Sequence, residues 1–394
     1  MTFPADDFFA DKPRPSPLYI AAAEASLANI WTSVNGYTTA RVYTDPKQEY
    51  DAVLGGVGLV DLSPLARYRI TGSDAGRALN RLTTAPAGRI AIGETAGGVL
   101  CDNTGRVVDI AAIARLNDSE FLLTLRKPRE RRLRAAFAGL DAHHAALTGA
   151  TAALGVIGPQ SGALLKAAGY GADAGAHAES RSIKGVRTIA QPTEISGMRA
   201  VELVFPADET LLVWERLSRA GRAAGEPRWI GLDALEALRI ENGVPRLGLD
   251  FDGAEDVERP RAMTPVAAGL GRLAPLDSAW FSGRAALRDA PPPTRRLSAL
   301  RVVAERVTPG ARLYADGKEA GFVTSAAFSP RLQSVVAIFD TQVSVFDGAK
   351  SFSVANDSDA AALPAIEIAS EDRPQIRRSE RSRTTEEKLA AVGR

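Results

Sequence analysis

Between residues 231 and 253 the chain reads GLDALEALRIENGVPRLGLDFDG. Apolar Leu232, Leu235, Leu238 and Ile240 recur at the spacing of one helix face, and Arg239 and Glu241 interrupt that stripe near its end. Gly243 suits the left-handed residue that closes a helix. Asp250 and Asp252 then set two carboxylates on the exit loop. The pattern predicts either the wall of a ligand pocket or a buried helix followed by a solvated turn. Upstream, residues 18–30 are alanine-rich with a helical pattern, residues 63–71 alternate as a strand, and Asp74 stands where it can cap a helix through Leu82. Two strand-like runs, 106–116 and 120–125, follow a turn at Asp102-Asn103-Thr104-Gly105. Pro128 suits the start of a helix reaching about Leu140. Further helices are predicted over 160–168 and 207–220, and residues 193–205 alternate like one strand.

Pro291, Pro292 and Pro293 break the chain with a stiff, extended linker. Beyond it the pattern changes to short alternating runs at 297–303, 312–315, 320–324 and 334–339, punctuated by Gly310, Gly317 and Gly321. That reads as a small β-barrel or sandwich. The organisation is therefore a mobile, proline-bearing leader (1–17), a large domain (18–290), a C-terminal β-barrel (295–365), and a charged, patternless tail (366–394) that has little to bury.

Composition narrows the function classes. With 48 basic and 47 acidic residues in 394, no whole-protein field draws the chain to nucleic acid or to a membrane surface. No run approaches the ~18 apolar residues of a spanning helix, and the N-terminus lacks a signal-peptide layout, so the cytoplasm is the default location. A single cysteine, Cys101, excludes an intramolecular disulfide and a multi-cysteine zinc site; the three histidines, His143, His144 and His177, make a histidine-rich metal centre a poor fit. No phosphate-binding loop or dinucleotide glycine fingerprint stands between a strand and a helix, which leaves a flavin or nicotinamide site unsupported.

The segment 231–253 resembles the G-x-x-A-x-x-x-L-R-x-E-x-G-x-x-x-x-G-x-D-x-D stretch of the tetrahydrofolate-binding aminomethyltransferase family. That family includes the glycine cleavage T-protein, the folate domains of sarcosine and dimethylglycine oxidases, and folate-dependent demethylases. Further landmarks follow in the family's order: YDAVLGGVGLVDLSPLARYRITGSDAGRALNRLTT (50–84), GGVLCDNTGRVVDIAAIARLNDSEFLLTL (97–125), GVIGPQS (155–161), FSGRAAL (281–287) and GFVTSAAFSPRL (321–332). The resemblance implies an α+β fold, two related α+β subdomains with a C-terminal β-barrel arranged around a central folate pocket. It implies tetrahydrofolate as acceptor of a one-carbon unit, with 5,10-methylene- or 5-methyl-tetrahydrofolate as product. The donor would be a small methylated or aminomethyl compound, and a lipoyl carrier protein or a flavin dehydrogenase a partner. Two alternatives stay open: a folate-binding sensor or assembly factor without transfer, and a subunit that receives one-carbon units from a flavin dehydrogenase.

Residue by residue, the resemblance makes Asp109, on the apolar run Val107–Ile113, the candidate catalytic and pterin-orienting carboxylate. Some members carry two consecutive aspartates there; Asp109 falls on the first and Ile110 on the second, so either the strand carries a local bulge or the catalytic carboxylate is absent, and Asp109 is then a strand-end aspartate satisfied by backbone donors. Met198 stands where the family's S-G-E-x-x-x-E places a pterin-binding glutamate, and Glu202 matches the second, structural glutamate. Leu235 replaces an arginine that can pair with the folate tail. Arg239 is a candidate for an ion pair with Glu241 or Asp250, and these frame the pocket. Tyr37 lies where an aromatic packs near the pterin. Arg126, Lys127, Arg129, Arg131, Arg132 and Arg134 form a basic cluster that reads as a solvated helix face or as a contact for an anionic tail.

Overall fold

The computed structural model describes residues 12–171, 173–256, 260–277, 280–356 and 363–368. Within the large domain, two sheets are built from interleaved parts of the chain. The first lobe is a five-stranded sheet in the order Thr95–Cys101, Val107–Arg115, Glu120–Leu125, Ala66–Thr71, His143–Ala146. Its outer face buries Ile70, Leu100, Val108, Ile113 and Leu123 against helices Ala75–Leu82 and Glu130–Phe137, through Leu79 and Leu133. The second lobe is a six-stranded sheet in the order Glu179–Ile183, Val186–Ile195, Met198–Pro206, Thr151–Ile157, Gly58–Asp61, Arg228–Trp229. Leu59, Leu154, Val156 and Leu203 on its outer face pack on Leu164 of helix Ser161–Ala167 and on Val213 and Leu217 of helix Thr210–Ala224. Strand alternation thus leaves each sheet a second face, and these inner faces meet: Ala114 and Leu122 of the first touch Ala153 and Val204 of the second.

The strands Arg295–Val302, Ser334–Gln342, Lys318–Ser329, Arg312–Ala315, Phe352–Ala355 and Leu363–Glu367 close into a barrel around Leu300, Leu313, Val323, Phe339 and Val354. Helix Leu232–Glu241 joins it to the large domain. Its Ala234, Ala237 and Leu238 pack inward with Tyr50 and Val60, while Ile240 reaches Val336 and Ile338 of the barrel.

Several local expectations are corrected. Helix Tyr19–Glu24 stops well before residue 30, because the amides of Leu27 and Ala28 donate to Tyr43 O and the chain turns into the strand Ile30–Val34. Residues 193–205 are not one strand. Ser196 and Gly197, with φ of 53° and 80°, fold a two-residue hairpin between Val186–Ile195 and Met198–Pro206. Asp74 precedes its helix without capping it; its carboxylate accepts from the Asp141 amide at 3.1 Å instead. The segment read as a leader is tied down at its end: Arg14 and Pro15 pair in parallel with Tyr37 and Thr38, and Ser16 Oγ donates to Asp61. Ile366 and Glu367, read as tail, complete the barrel. Residues 1–11 and 369–394 lie outside the described residues.

Candidate active site between the two lobes

Register fixes what the inner faces present. In the first lobe Thr124 stands beside Ala112 on one side and Arg67 on the other. In the second, Gln191 faces Glu202 across its ladder and Ile195 faces Met198. Where the faces meet, Arg67 and Glu202, both buried, form an ion pair. Arg67 Nε donates to Glu202 at 3.0 Å, while Nη1 donates to the carbonyls of Leu62 and Leu65 at 2.7 and 3.1 Å. The other Glu202 oxygen takes the Gln191 amide N–H. Glu202 therefore holds the lobes together, the structural part expected of it. This network leaves two buried polar atoms without a partner among the described residues, Gln191 Oε1 and Thr124 Oγ1. An orphaned acceptor and an orphaned hydroxyl on the inner faces of the two lobes are what a polar ligand would satisfy.

Asp109 lies fully buried beside this floor. The bulge that could turn it is present: Leu100 pairs with Asp109 but Cys101 pairs with Val107, so Val108 is an extra residue in its strand. The carboxylate nevertheless does not stand open to a pocket. One oxygen accepts the amides of Ile110 and Arg126 at 2.7 and 3.0 Å; the other accepts the Lys127 amide at 3.2 Å and Arg129 Nε at 2.8 Å. Arg129 also donates to Val108 O at 2.7 Å. Burial raises the Asp109 pKa, opposed by Arg129 and by the amides. Four donors fill the lone pairs of a carboxylate. The geometry is that of an anchor for the turn 126–129, the backbone-satisfied alternative, rather than of a free pterin-facing acid. Ile110, in the place of the second aspartate, packs with Val99, Leu247 and Phe251.

That turn carries Arg126. Its carbonyl accepts from Asn35 Nδ2, at the tip of the hairpin Ile30–Val34 and Tyr37–Val42, at 2.6 Å. Its side chain remains exposed to water, yet removal from bulk solvent lowers its pKa, with Asp109 opposing and Arg246 reinforcing the shift. Its guanidinium has no hydrogen-bond or ion-pair partner among the described residues and is open to solvent. Asp61 is half-buried; burial raises its pKa, opposed by the bonds that Ser16 and Ser63 donate to it.

The remaining expected residues divide. Tyr37 is half-buried, with the Arg14 guanidinium 5.9 Å over its ring, so one ring face is already occupied. Met198 and Leu235 pack on a single apolar cluster with Ile195, Ala200 and Leu62. The two positions where the family places a glutamate and an arginine are thus hydrocarbon together. Arg239 pairs with Asp250 at 2.8 Å and not with Glu241. Asp250, fully buried, also accepts from Thr324 Oγ1 and Ser325 Oγ, each at 2.6 Å, and from the Arg246 amide at 2.8 Å. Glu241 accepts from Tyr50 OH at 2.9 Å and pairs with Arg331 at 3.1 Å. The Arg331–Glu241 pair and the Thr324 and Ser325 hydroxyls that bond Asp250 and Arg239 bolt this region to the barrel. In the basic cluster, Arg129, Arg131 and Arg132 converge on Glu255. Cys101 is buried and its thiol is pushed up to about 12 by burial, which makes it a poor nucleophile. Among the described residues no cluster of three or more metal-ligand side chains occurs, and no helix is long and apolar enough to cross a membrane.

Two α+β lobes that share a polar seam and carry a closed barrel define a T-protein-like architecture. The description "GCVT N-terminal domain" matches residues 21–278, and "Glycine cleavage T-protein C-terminal barrel domain" matches residues 295–345. Among curated proteins, the aminomethyltransferase of Saccharopolyspora erythraea is 30% identical over 347 residues, 83% of this chain and 89% of that one. The aminomethyltransferase of Streptomyces coelicolor is 29% identical over 334 residues, 80% and 87% of the two chains. The crystal structure of glycine cleavage system aminomethyltransferase T from Bartonella henselae superposes with a TM-score of 0.78, covering 92% of this chain and 99% of that chain at 20% identity. The chain belongs to the glycine cleavage T-protein, or aminomethyltransferase, family.

Proposed function

We propose that the interlobe space takes tetrahydrofolate and that the protein transfers a methyl or aminomethyl unit from a small donor to it, leaving 5-methyl- or 5,10-methylene-tetrahydrofolate. The observation that carries this reading is the extent of the family match, which runs through both lobes into the barrel at 30% identity to a named aminomethyltransferase. When bound, tetrahydrofolate supplies the nitrogen nucleophile that accepts the one-carbon unit. The chain's own residues bind and orient. Gln191 Oε1 offers a buried acceptor to a ring N–H. Tyr37 offers its uncovered ring face, and Met198 and Leu235 an apolar wall. Asp109 acts as a positioning residue, holding the turn that presents Arg126, and Arg239 with Asp250 keeps the barrel closed over the site. Such positioning of two reactants is worth up to ~7–11 kcal/mol in favourable cases. A lipoyl carrier or a flavin dehydrogenase would deliver the unit.

A second reading, folate binding without transfer, is favoured by one observation: Asp109 has no lone pair left for a ligand, and Ile110 and Met198 add no carboxylate. A single-turnover assay with stoichiometric enzyme, reduced folate and a panel of methylated amines, ethers and sulfonium compounds separates the two. Formation of a methylated or methylene folate supports transfer. Saturable folate binding with no product from any donor supports the binder.

A further inference from the structure

The segment 250–256 crosses from the barrel to the turn that Asp109 anchors, and it is fastened all along its length. At the barrel end, fully buried Asp250 accepts Thr324 Oγ1 and Ser325 Oγ of the strand Lys318–Ser329, each at 2.6 Å. Phe251, also fully buried, packs with Val99, Cys101 and Val107 of the first lobe. The Ala254 amide donates to Val107 O at 2.8 Å, beside the bulge at Val108. A Cβ added to Gly253 would stand 3.2 Å from Val108 O, so the backbone of the segment lies directly on that bulge. At the far end, Glu255 meets Arg132 Nε at 2.8 Å, Arg131 Nη2 at 3.5 Å and Arg129 Nη1 at 3.7 Å, and Asp256 meets Lys127 Nζ at 3.2 Å.

This far end reaches Asp109 through shared residues. Arg129 donates from Nε to the Asp109 carboxylate at 2.8 Å while its Nη1 faces Glu255. Lys127 gives its amide to Asp109 at 3.2 Å and its ammonium to Asp256. A half-exposed ion pair taken singly contributes little. Here three guanidiniums converge on one half-buried carboxylate, so neutralising Glu255 leaves three like charges to repel one another. The one of them that moves least freely, Arg129, is the one bonded to Asp109.

We infer that Glu255 is a positioning residue, and that through it the segment 250–256 couples the seating of the barrel to the geometry of the turn 126–129. Loosening the barrel end loosens the turn. The converse holds as well, because a coupling free energy acts equally in both directions. The coupling is a property of the chain alone and stands whether or not a folate binds.

Hydrogen exchange of the full chain, read by mass spectrometry, tests it. The reporters are the amides of Arg126 and Lys127, which donate to Asp109 at 3.0 and 3.2 Å; the control is the second-lobe strand Met198–Pro206. Glu255→Gln is expected to speed exchange at the turn about fivefold or more, and Glu255→Asp, which keeps the charge, about twofold or less. Thr324→Val, at the opposite end of the segment, should speed it about threefold, and Thr324→Ser, which keeps the hydroxyl, should match wild type. The control strand should stay within about twofold throughout. The double variant Glu255→Gln/Thr324→Val should fall short of the product of the single effects, because either loss already disconnects the two ends. Unchanged exchange at the turn in Thr324→Val overturns the coupling, and so does a full product in the double variant. Equal acceleration at the turn and in the control strand overturns it as well, since that reports global stability alone. Unchanged exchange in Glu255→Gln removes Glu255 as a positioning residue. Ser325→Ala takes the place of Thr324→Val if the valine variant does not fold, with the same expected and overturning results.

Discussion

The barrel junction and the seam between the lobes pair their buried charges alike but differ in the neutral polar groups they bury. At the junction every ionised group is matched: Asp250 by Arg239, the Arg246 amide, Thr324 and Ser325, and Glu241 by Arg331 and Tyr50. Along the seam Arg67 pairs with Glu202 and Asp109 with Arg129, but Thr124 Oγ1 and Gln191 Oε1 are orphaned, and exposed Arg126 has no partner among the described residues. Matched burial is a structural device, since removing one member strands the other in a low-dielectric setting. Unmatched polarity costs stability and persists where a ligand completes it. Orphaned buried atoms occur in the second-lobe core as well, at Tyr170 OH and Trp229 Nε1, so the contrast points to a site only where the inner faces of the two lobes meet.

Substitutions can break or sharpen this contrast. The largest effect is expected for Glu202→Ala, which leaves Arg67 buried without a carboxylate and should cost ~3–5 kcal/mol in urea unfolding; a loss below about 1 kcal/mol would deny the seam its structural part. Next, Asp250→Ala should cost ~2–4 kcal/mol and, because it unfastens the helix Leu232–Glu241 from the strand Lys318–Ser329, should split the calorimetric transition so that the barrel melts apart. Asp109→Asn removes the charge from a carboxylate that accepts four donors and should cost ~1–3 kcal/mol. Turnover should fall with it while the fold survives, and unchanged turnover would remove Asp109 from the function. The smallest effect is expected at Arg126. Arg126→Gln without ligand should lie within about 0.5 kcal/mol of wild type, or be slightly more stable, because no protein contact is lost. A cost like that of Asp250→Ala would show that Arg126 belongs to the frame.

Much of this arrangement was legible from sequence. Alternation and the triple proline placed the barrel, and Asp250 was one of the two partners expected for Arg239. The partners Thr324 and Ser325 were not legible, because they come from a strand more than seventy residues away. Which of its two alternatives Asp109 takes was undecidable for a different reason. Three of its four donors are backbone amides, which carry no sequence signature, and the bulge at Val108 depends on pairing. Arg126 looked like the first member of a solvated basic face. Only the strand register sets it apart from Arg131 and Arg132, which meet Glu255 on the helix beyond. The hairpin at Ser196-Gly197 was missed because alternation continues across a two-residue turn, although the Ser-Gly pair itself was the available signal.

The central claim is that the space between the lobes is built for a reduced folate. Anaerobic calorimetric titration of the full chain with tetrahydrofolate tests it directly. The account predicts saturable binding of one molecule per chain, weakened by Gln191→Leu, which removes the orphaned acceptor. Absence of binding by the well-folded wild-type chain, or affinity unmoved by Gln191→Leu and by Tyr37→Ala alike, would contradict it.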